Sequence, residues 1–270
     1  MRFVYQKITI LFLSCFCICQ TVVAGNWNTG SVEPVQMKTA IPIEGLTGVG
    51  INSIALWSGA SKIRSQDQLV SHLAPLETHG FSHVVLVSCA DWIIGLRCKK
   101  GVDKDRIVKA VKAVVESTNL HVVLQLKAYD QKKISGKNTS KLQMSLEEDE
   151  ATQTAFVETW ASLAETLKEI DRERLSFNLL NEPEFELPKP TPMKRNKWLA
   201  VASNAIEAIR NVSPDRVVII EGIGKSLFAN RYKSDYEYSS VTDLIKPVPY
   251  SDVVYGFHNY EPEEFLQQAK

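Results

Sequence analysis

The sequence predicts an α/β protein of the (β/α)8 TIM-barrel type, an incomplete barrel with about six strand–helix units present. Short apolar segments alternate with longer helical patterns, at about forty residues a unit, which is typical of parallel βαβ structure. The segments are almost continuously apolar, as strands are when both faces of a parallel sheet are covered. Polar residues follow their carboxyl ends, which converge on one mouth in a barrel. A doubly wound sheet is the alternative, but no glycine-rich phosphate loop follows the first strand.

Residues 1–24 have the pattern of a signal peptide. A basic start is followed by the apolar run Ile8–Ile18 and by small residues up to Ala24, the arrangement that a signal peptidase recognises. The run is too short to cross about 30 Å of hydrocarbon as a membrane anchor. A further alternative is lipid attachment at a cysteine of this region: Cys15, Cys17 or Cys19. We expect a secreted or periplasmic protein whose mature domain is residues 25–270.

The composition of the chain limits the classes of molecule that we expect as its partners. Lys and Arg number 31, as do Asp and Glu, so nothing indicates nucleic acid or an anionic membrane as a partner, and we expect a monomer. No CxxC pair or His-rich tract indicates a metal site. Cys89 and Cys98 are the cysteines that follow residue 24. In an exported protein they could form a disulfide across one loop, and two unpaired thiols are equally consistent.

Six strands are predicted from runs of apolar and β-branched residues. They are Val49–Trp57, His83–Cys89, Val122–Tyr129, Leu175–Pro183, Arg216–Gly222 and Val253–Tyr260. Four helices are predicted between them: Asp67–His79, Asp103–Ser117, Glu148–Ile170 and Met193–Arg210. The clearest is Asp103–Ser117, whose apolar residues recur at helical spacing while lysines take its other faces. Gln131–Met144 and Glu184–Pro192 are interpreted as polar loops.

The strongest local signal is Asn181-Glu182-Pro183 at the end of the fourth predicted strand. Pro183 has no N–H to donate and ends the ladder there. Glycoside hydrolysis needs one carboxylic acid to protonate the leaving oxygen and a second carboxylate opposite it. A Glu partly shielded from water can hold its proton near neutral pH. Glu182 is therefore the candidate acid/base, and the Asn181 amide could bond a sugar hydroxyl; a solvated Glu at a polar strand end is the alternative.

From Val49 to Lys270 the chain resembles glycoside hydrolase family 5, the cellulase and mannanase family of retaining hydrolases. The matching segments, in order, are Gly50–Asn52 before Trp57, Asn181–Pro183, Val217–Gly222, and Val254–Pro262 with Phe265. The resemblance implies an enzyme that hydrolyses O-glycosyl bonds of a β-linked oligo- or polysaccharide, with no metal or organic cofactor. It implies that Glu182 is the proton donor. It also implies that His258 and Tyr260 orient the catalytic carboxylates and the sugar.

Further residues at the predicted strand exits are candidates for binding the sugar. Trp57 and Trp92 could stack against the C–H faces of a pyranose ring, and packing in the core is an equally consistent role. Glu221 ends the fifth strand, which the resemblance implies is not the position of the nucleophile, and we expect a structural or substrate-contact role for it. Trp160 and Trp198 lie within helical patterns, and we expect them to pack in the core.

Two positions depart from the family pattern. The second strand carries Val85 where the family has an Arg that supports the nucleophile, and the third ends in Lys127 where the family has a sugar-contacting His. A carboxylate could pair with Lys127 near the mouth. The family's nucleophile lies on a seventh strand, which we do not identify among these residues. We therefore expect either a fragment of a retaining enzyme or an inactive relative that binds carbohydrate.

Overall fold

The computed structural model describes residues 44–56, 65–98, 103–129, 131–134, 137–183, 192–222 and 248–256. The expected signal peptide lies outside these ranges. The described strands are β1 (Val49–Leu56), β2 (Phe81–Cys89), β3 (His121–Lys127), β4 (Gln131–Ile134), β5 (Lys137–Ser140), β6 (Leu175–Asn178), β7 (Val218–Glu221) and β8 (Val253–Gly256). No helix within these ranges is both long enough and apolar enough to cross a bilayer.

Six of the strands form one parallel sheet in the order β1-β2-β3-β6-β7-β8. Each strand pairs with the next one along this order through parallel ladders, for example His83 with His121 and Glu221 with Gly256. The described helices connect these strands and cover the outer face of the sheet. The strands follow one another in chain order and the helices cover one face, whereas a doubly wound sheet reverses its strand order and has helices on both faces. This arrangement confirms the predicted fold class, an incomplete (β/α)8 barrel.

The described helices are α1 (Gln66–Leu73), α2 (Pro75–Thr78), α3 (Lys104–Ser117), α4 (Lys141–Glu148), α5 (Glu150–Leu167) and α6 (Pro192–Arg210), with short 3₁₀ turns at Glu44–Leu46 and Asp91–Ile94. The prediction of one helix over Asp67–His79 is wrong. The helix breaks at Ala74 because Pro75 has no N–H for an intrahelical bond and instead begins a new turn.

The prediction of a polar loop over Gln131–Met144 is also wrong. β4 and β5 pair as an antiparallel hairpin, and α4 begins at its end. The Ser140 side chain accepts a hydrogen bond from the Gln143 N–H and so caps α4. Leu142 and Leu146, four residues apart, are both buried, which is the spacing of one helix face. A short helix with one apolar turn is easily masked by the polar residues around it.

The two faces of the parallel sheet are both covered, as the apolar strands predict. Residues of alternate parity lie on opposite faces, because the side-chain period of a strand is two. The outer face packs against the helices in the main core, which includes Val84, Leu86, Val122, Leu124, Phe177, Trp160 and Trp198. This confirms the core positions expected for Trp160 and Trp198. The inner face has its own apolar cluster of Leu46, Val85, Val87, Val123, Val217 and Ile219.

The inner face is polar at the amino ends of the strands. His121 Nε2 lies 2.9 Å from Ser176 Oγ, and His121 Nδ1 lies 2.9 Å from the carbonyl oxygen of Glu173. His83 is buried on the neighbouring strand, and its ring occupies the space that a side chain at Gly50 would need. Burial lowers the pKa of both histidines to about 4, although each also has a backbone hydrogen bond that acts in the opposite direction. Both rings are therefore neutral at pH 7.

Candidate active site

The chain leaves β6 along a path set by both neighbouring strands. The Leu179 N–H donates to the carbonyl oxygen of Ile219 at 3.1 Å, and the Asn181 N–H donates to that of Leu126 at 2.8 Å. The regular ladder ends at Asn178, so the strand is shorter than the predicted Leu175–Pro183. These two bonds nevertheless carry the backbone up to Glu182 between β3 and β7. The candidate acid/base therefore lies at the carboxyl end of the sheet, where the sequence predicts it.

Glu182 has an unusual backbone conformation. Its φ is +44°, in the left-handed region that non-glycine residues enter at a cost of roughly 1 kcal/mol or more. Its N–H donates to Glu221 Oε2 at 2.7 Å, and its carbonyl oxygen accepts from Gln143 Nε2 at 3.0 Å. The backbone is thus held by a side chain on each side of the residue. Such a turn redirects the chain sharply where the strand ends.

The side chain of Glu182 is half-buried and adjoins Asn181. Asn181 Nδ2 donates to Glu182 Oε2 at 3.3 Å, and Asn181 itself is only 5 % exposed. An amide donor to a carboxyl oxygen restricts the rotamer of the carboxyl group. This contact brings together the two residues of the predicted motif.

Glu221 ends β7 and is 2 % exposed. Its Oε1 accepts from Gln125 Nε2 at 2.7 Å and from Asn178 Nδ2 at 2.8 Å, while its Oε2 accepts from the Glu182 N–H. A carboxylate buried to this extent requires such donors, because burying a charge without hydrogen bonds is costly. Of the two roles expected for Glu221, these contacts support the structural one, and contact with substrate remains a prediction.

Trp92 lies beside the exit of β2. It is half-buried, packs against the main core, and its Nε1 donates to the carbonyl oxygen of Cys89 at 3.0 Å. Cys89 and Cys98 form a disulfide with a Cα–Cα distance of 6.0 Å, which decides between the two alternatives for these cysteines. The neighbouring Asp91 is buried, and both its carboxyl oxygens lie within 3.1 Å of the Tyr129 N–H. This side chain joins the exits of β2 and β3.

The two departures from the family pattern lie at different depths. Val85 is buried in the inner apolar cluster. Lys127 is the last residue of β3, half-buried, and on the inner face by alternation with Gln125. Its position at the strand exit is the predicted one. Three predicted substrate-binding residues, Trp57, His258 and Tyr260, lie outside the described residues.

Sequence reasoning missed three polar residues that contact the candidate site: Gln125, Asn178 and Gln143. Gln125 and Asn178 interrupt apolar strands and share the parity of Lys127 and Ser176 on the inner face. An isolated polar residue in a buried strand needs a buried partner, and that signal was available. Gln143 could not be found in this way, because its contact depends on where α4 lies.

Comparison with known proteins concerns the family and the fold of the chain. The model of the protein family described as "Cellulase (glycosyl hydrolase family 5)" matches residues 76–270 of this chain. Endoglucanase 3 of Fibrobacter succinogenes is 28 % identical over 185 residues, which is 66 % of this chain and 24 % of the relative. The chain therefore spans about a quarter of the length of that protein.

Similar solved structures include endoglucanase Cel5A of Thermotoga maritima, 20 % identical with a TM-score of 0.54, covering 82 % of this chain and 62 % of that one. A glycoside hydrolase of Prevotella bryantii, solved with a xyloglucan tetradecasaccharide, is 17 % identical with a TM-score of 0.54, covering 84 % and 67 %. These likenesses concern the fold. The family match extends from α2 through every later strand of the sheet, and this chain belongs to glycosyl hydrolase family 5.

Proposed function

We propose that the chain forms the catalytic region of a retaining, endo-acting β-glycanase in which Glu182 is the acid/base. The observation that carries the proposal is the placement of Glu182. In a chain of this family, it lies at the exit of β6, near the middle of a parallel barrel sheet, half-buried, with its backbone and its carboxyl group each hydrogen-bonded. A fixed, partly shielded carboxyl group suits a proton donor to a glycosidic oxygen.

The other residues predicted at the strand exits would bind the sugar or orient the catalytic groups. Asn181 would orient the Glu182 carboxyl group and a sugar hydroxyl. His258, Tyr260, Trp57 and Trp92 would line the sugar, and Lys127 would pair a carboxylate at the mouth. A retaining mechanism needs a second carboxylate about 5–5.5 Å from the first. Glu221 does not suit that role, because its oxygens accept three hydrogen bonds beneath the strand exit.

The test is hydrolysis of β-glucan and β-mannan oligosaccharides, by the 270-residue chain and by the product of the whole reading frame. We expect Glu182→Gln to lower kcat/KM by about 10²–10⁴-fold, the usual contribution of general acid–base catalysis. A thermal melt close to that of wild type would show that the variant is folded. Activity that survives Glu182→Gln unchanged would contradict the assignment, and a product of inverted anomeric configuration would contradict the retaining mechanism.

A second candidate function is that of a carbohydrate-binding relative without catalysis. Val85 favours it, since a buried valine replaces the expected supporting Arg within the apolar inner cluster. Calorimetric titration with cello- and manno-oligosaccharides discriminates between the two. Binding without turnover in both proteins would support this function, and turnover that depends on Glu182 would exclude it.

We also propose that the protein is exported. The pattern of residues 1–24 supports export, and so does the Cys89–Cys98 disulfide, because such bonds persist in oxidising compartments. Amino-terminal sequencing of the mature protein tests this proposal. A start near residue 25 is the expected result, and retention of Met1 in a reducing compartment would contradict it.

A further inference from the structure

We propose that Glu221 is a positioning residue for the acid/base: its buried carboxylate holds the backbone of Glu182 in the left-handed conformation that presents the catalytic side chain. The inference rests on the proposed function of Glu182. It gives Glu221 a defined task within the structural role that its contacts support.

The first argument is the geometry around Glu182. With a φ of +44° at Glu182, the chain leaves the extended conformation of β6, and a non-glycine residue keeps such a conformation only if its surroundings over-determine it. Glu221 Oε2 meets that N–H at 2.7 Å, and Gln143 meets the carbonyl oxygen on the other side. The bond to a charged acceptor is the stronger kind. Glu221 therefore opposes relaxation of Glu182 to an extended conformation.

The second argument is that Glu221 is itself fixed from several directions. Gln125 of β3 and Asn178 of β6 both donate to Oε1, at 2.7 Å and 2.8 Å. The carbonyl oxygen of Glu221 accepts from Trp198 Nε1 at 2.9 Å, which ties it to α6. On β8, a Cβ at Gly256 would lie only 3.1 Å from Glu221 Cγ, so the glycine leaves open the space beside this side chain. A clamp with this rigidity can transmit a defined position to Glu182.

The third argument is the choice of residue. Burying a carboxylate costs free energy that an apolar side chain of the same size would not require. In return, a carboxylate can accept all three hydrogen bonds at once, whereas an amide has one oxygen. In Glu221→Gln, the new amide oxygen can still accept from the Glu182 N–H. Its amide nitrogen can donate to Gln125 Oε1 or Asn178 Oδ1 if those amide groups rotate, since both oxygens are without a hydrogen-bond partner. Glu221→Leu removes the acceptor of the Glu182 N–H.

The experiment compares Glu221→Leu, Glu221→Gln and a destabilised control, Val111→Ala in α3, remote from the site and fully buried. Each is assayed in the whole reading-frame product on cellobiosides whose leaving groups differ in basicity. If the Glu182 carboxyl group is displaced, hydrolysis should slow only for substrates whose leaving group must be protonated. For those we expect kcat/KM of Glu221→Leu to fall by about 30-fold or more, within the range of general acid catalysis. With a dinitrophenyl leaving group the change should be less than about threefold, because that group leaves unprotonated.

Glu221→Gln should restore most of the activity, and Val111→Ala should change both substrates equally and slightly. An equal loss on both substrates in Glu221→Leu would overturn the positioning role, as would a loss no larger than that of Val111→Ala. The amide resonance of Glu182 gives an independent measurement. Its proton should lie downfield and exchange slowly in wild type, and both features should disappear in Glu221→Leu alone. A wild-type enzyme insensitive to Glu182→Gln overturns the proposed function instead, whatever the amide resonance reports.

Discussion

The two ends of the barrel interior are both polar, but they differ in charge and in what their hydrogen bonds hold. At the carboxyl end, Glu221 is a buried anion whose donors include the backbone N–H of the candidate acid/base. At the amino end, His83 and His121 are neutral and bond to Ser82, Ser176 and a backbone carbonyl. The contacts at one end hold the backbone of the candidate acid/base, and those at the other join neighbouring strands near their amino ends. If Glu182 is the acid/base, buried polar residues of one sheet serve catalysis at its carboxyl end and stability at its amino end.

The largest effect that we expect at the amino end is a dependence of stability on pH. His83 and His121 have a pKa of about 4 in the folded protein and near 6.5 when unfolded. The unfolded state then binds more protons between these values, so stability is complete above pH 6.5 and is lost as the pH falls toward 4. Each histidine should contribute on the order of 3 kcal/mol to this loss. Urea unfolding at pH 7, 5.5 and 4.5 measures it.

His121→Gln is the matched control for that prediction, because Gln can bond to the same partners without titrating. We expect it to flatten the dependence of unfolding free energy on pH, leaving the slope that other groups cause. An unchanged slope would mean that His121 is solvated or charged in the folded protein. If the two ends are independent, Glu221→Leu should lower kcat/KM by the same factor in the His121→Gln variant as in the wild-type protein.

A somewhat smaller effect is expected for Arg216, which is 2 % exposed just before β7. Its NH1 group donates to the carbonyl oxygen of Leu175 at 2.8 Å, and its guanidinium lies 5.5 Å from the centre of the Phe177 ring. Arg216→Met leaves buried carbonyl groups without a donor, so we expect unfolding to become easier by about 2–4 kcal/mol. Chemical denaturation gives this value. A loss of activity in folded Arg216→Met would show that the amino end also positions the site.

The disulfide at the carboxyl end should contribute about 2–3 kcal/mol, as expected for a bond that closes a loop of roughly ten residues. The cysteines are separated by nine positions. A Cys89→Ser, Cys98→Ser double variant should therefore unfold at lower denaturant concentration without a change in kcat/KM. If kcat/KM falls as well, the disulfide also positions the exit of β2, where Asp91 meets Tyr129.

The smallest effects are expected for a pair of single hydrogen bonds, one at each end. Asn181→Ala removes the donor to Glu182 Oε2, and Ser176→Ala removes the partner of His121. Each bond should contribute roughly 1 kcal/mol, the typical net value for one hydrogen bond. We expect Asn181→Ala to lower kcat/KM and Ser176→Ala to lower the free energy of unfolding. The reverse assignment would contradict the division between the two ends.

Much of the fold could be predicted from the order of residues along the chain. The six apolar segments became the six strands of the parallel sheet, because continuous apolarity is the local consequence of burial on both faces. The wrong predictions concern segments in which the local sequence pattern was weak or pointed to two structures. Pro75 broke a helix that the apolar pattern alone would continue, and the hairpin with α4 was hidden in a polar segment.

The order of residues was enough to predict the class of fold, the family resemblance, and the place of Asn181 and Glu182 at a strand exit, since each depends on short segments of the chain. Contacts between residues far apart in the chain could be found only in the folded structure. Gln125, Asn178 and Glu182 meet Glu221 across separations of 96, 43 and 39 residues. Strand register and curvature set those meetings, and no local pattern encodes them. The same reason explains why the role proposed for Glu221 depends on its partners rather than on its position at the end of β7.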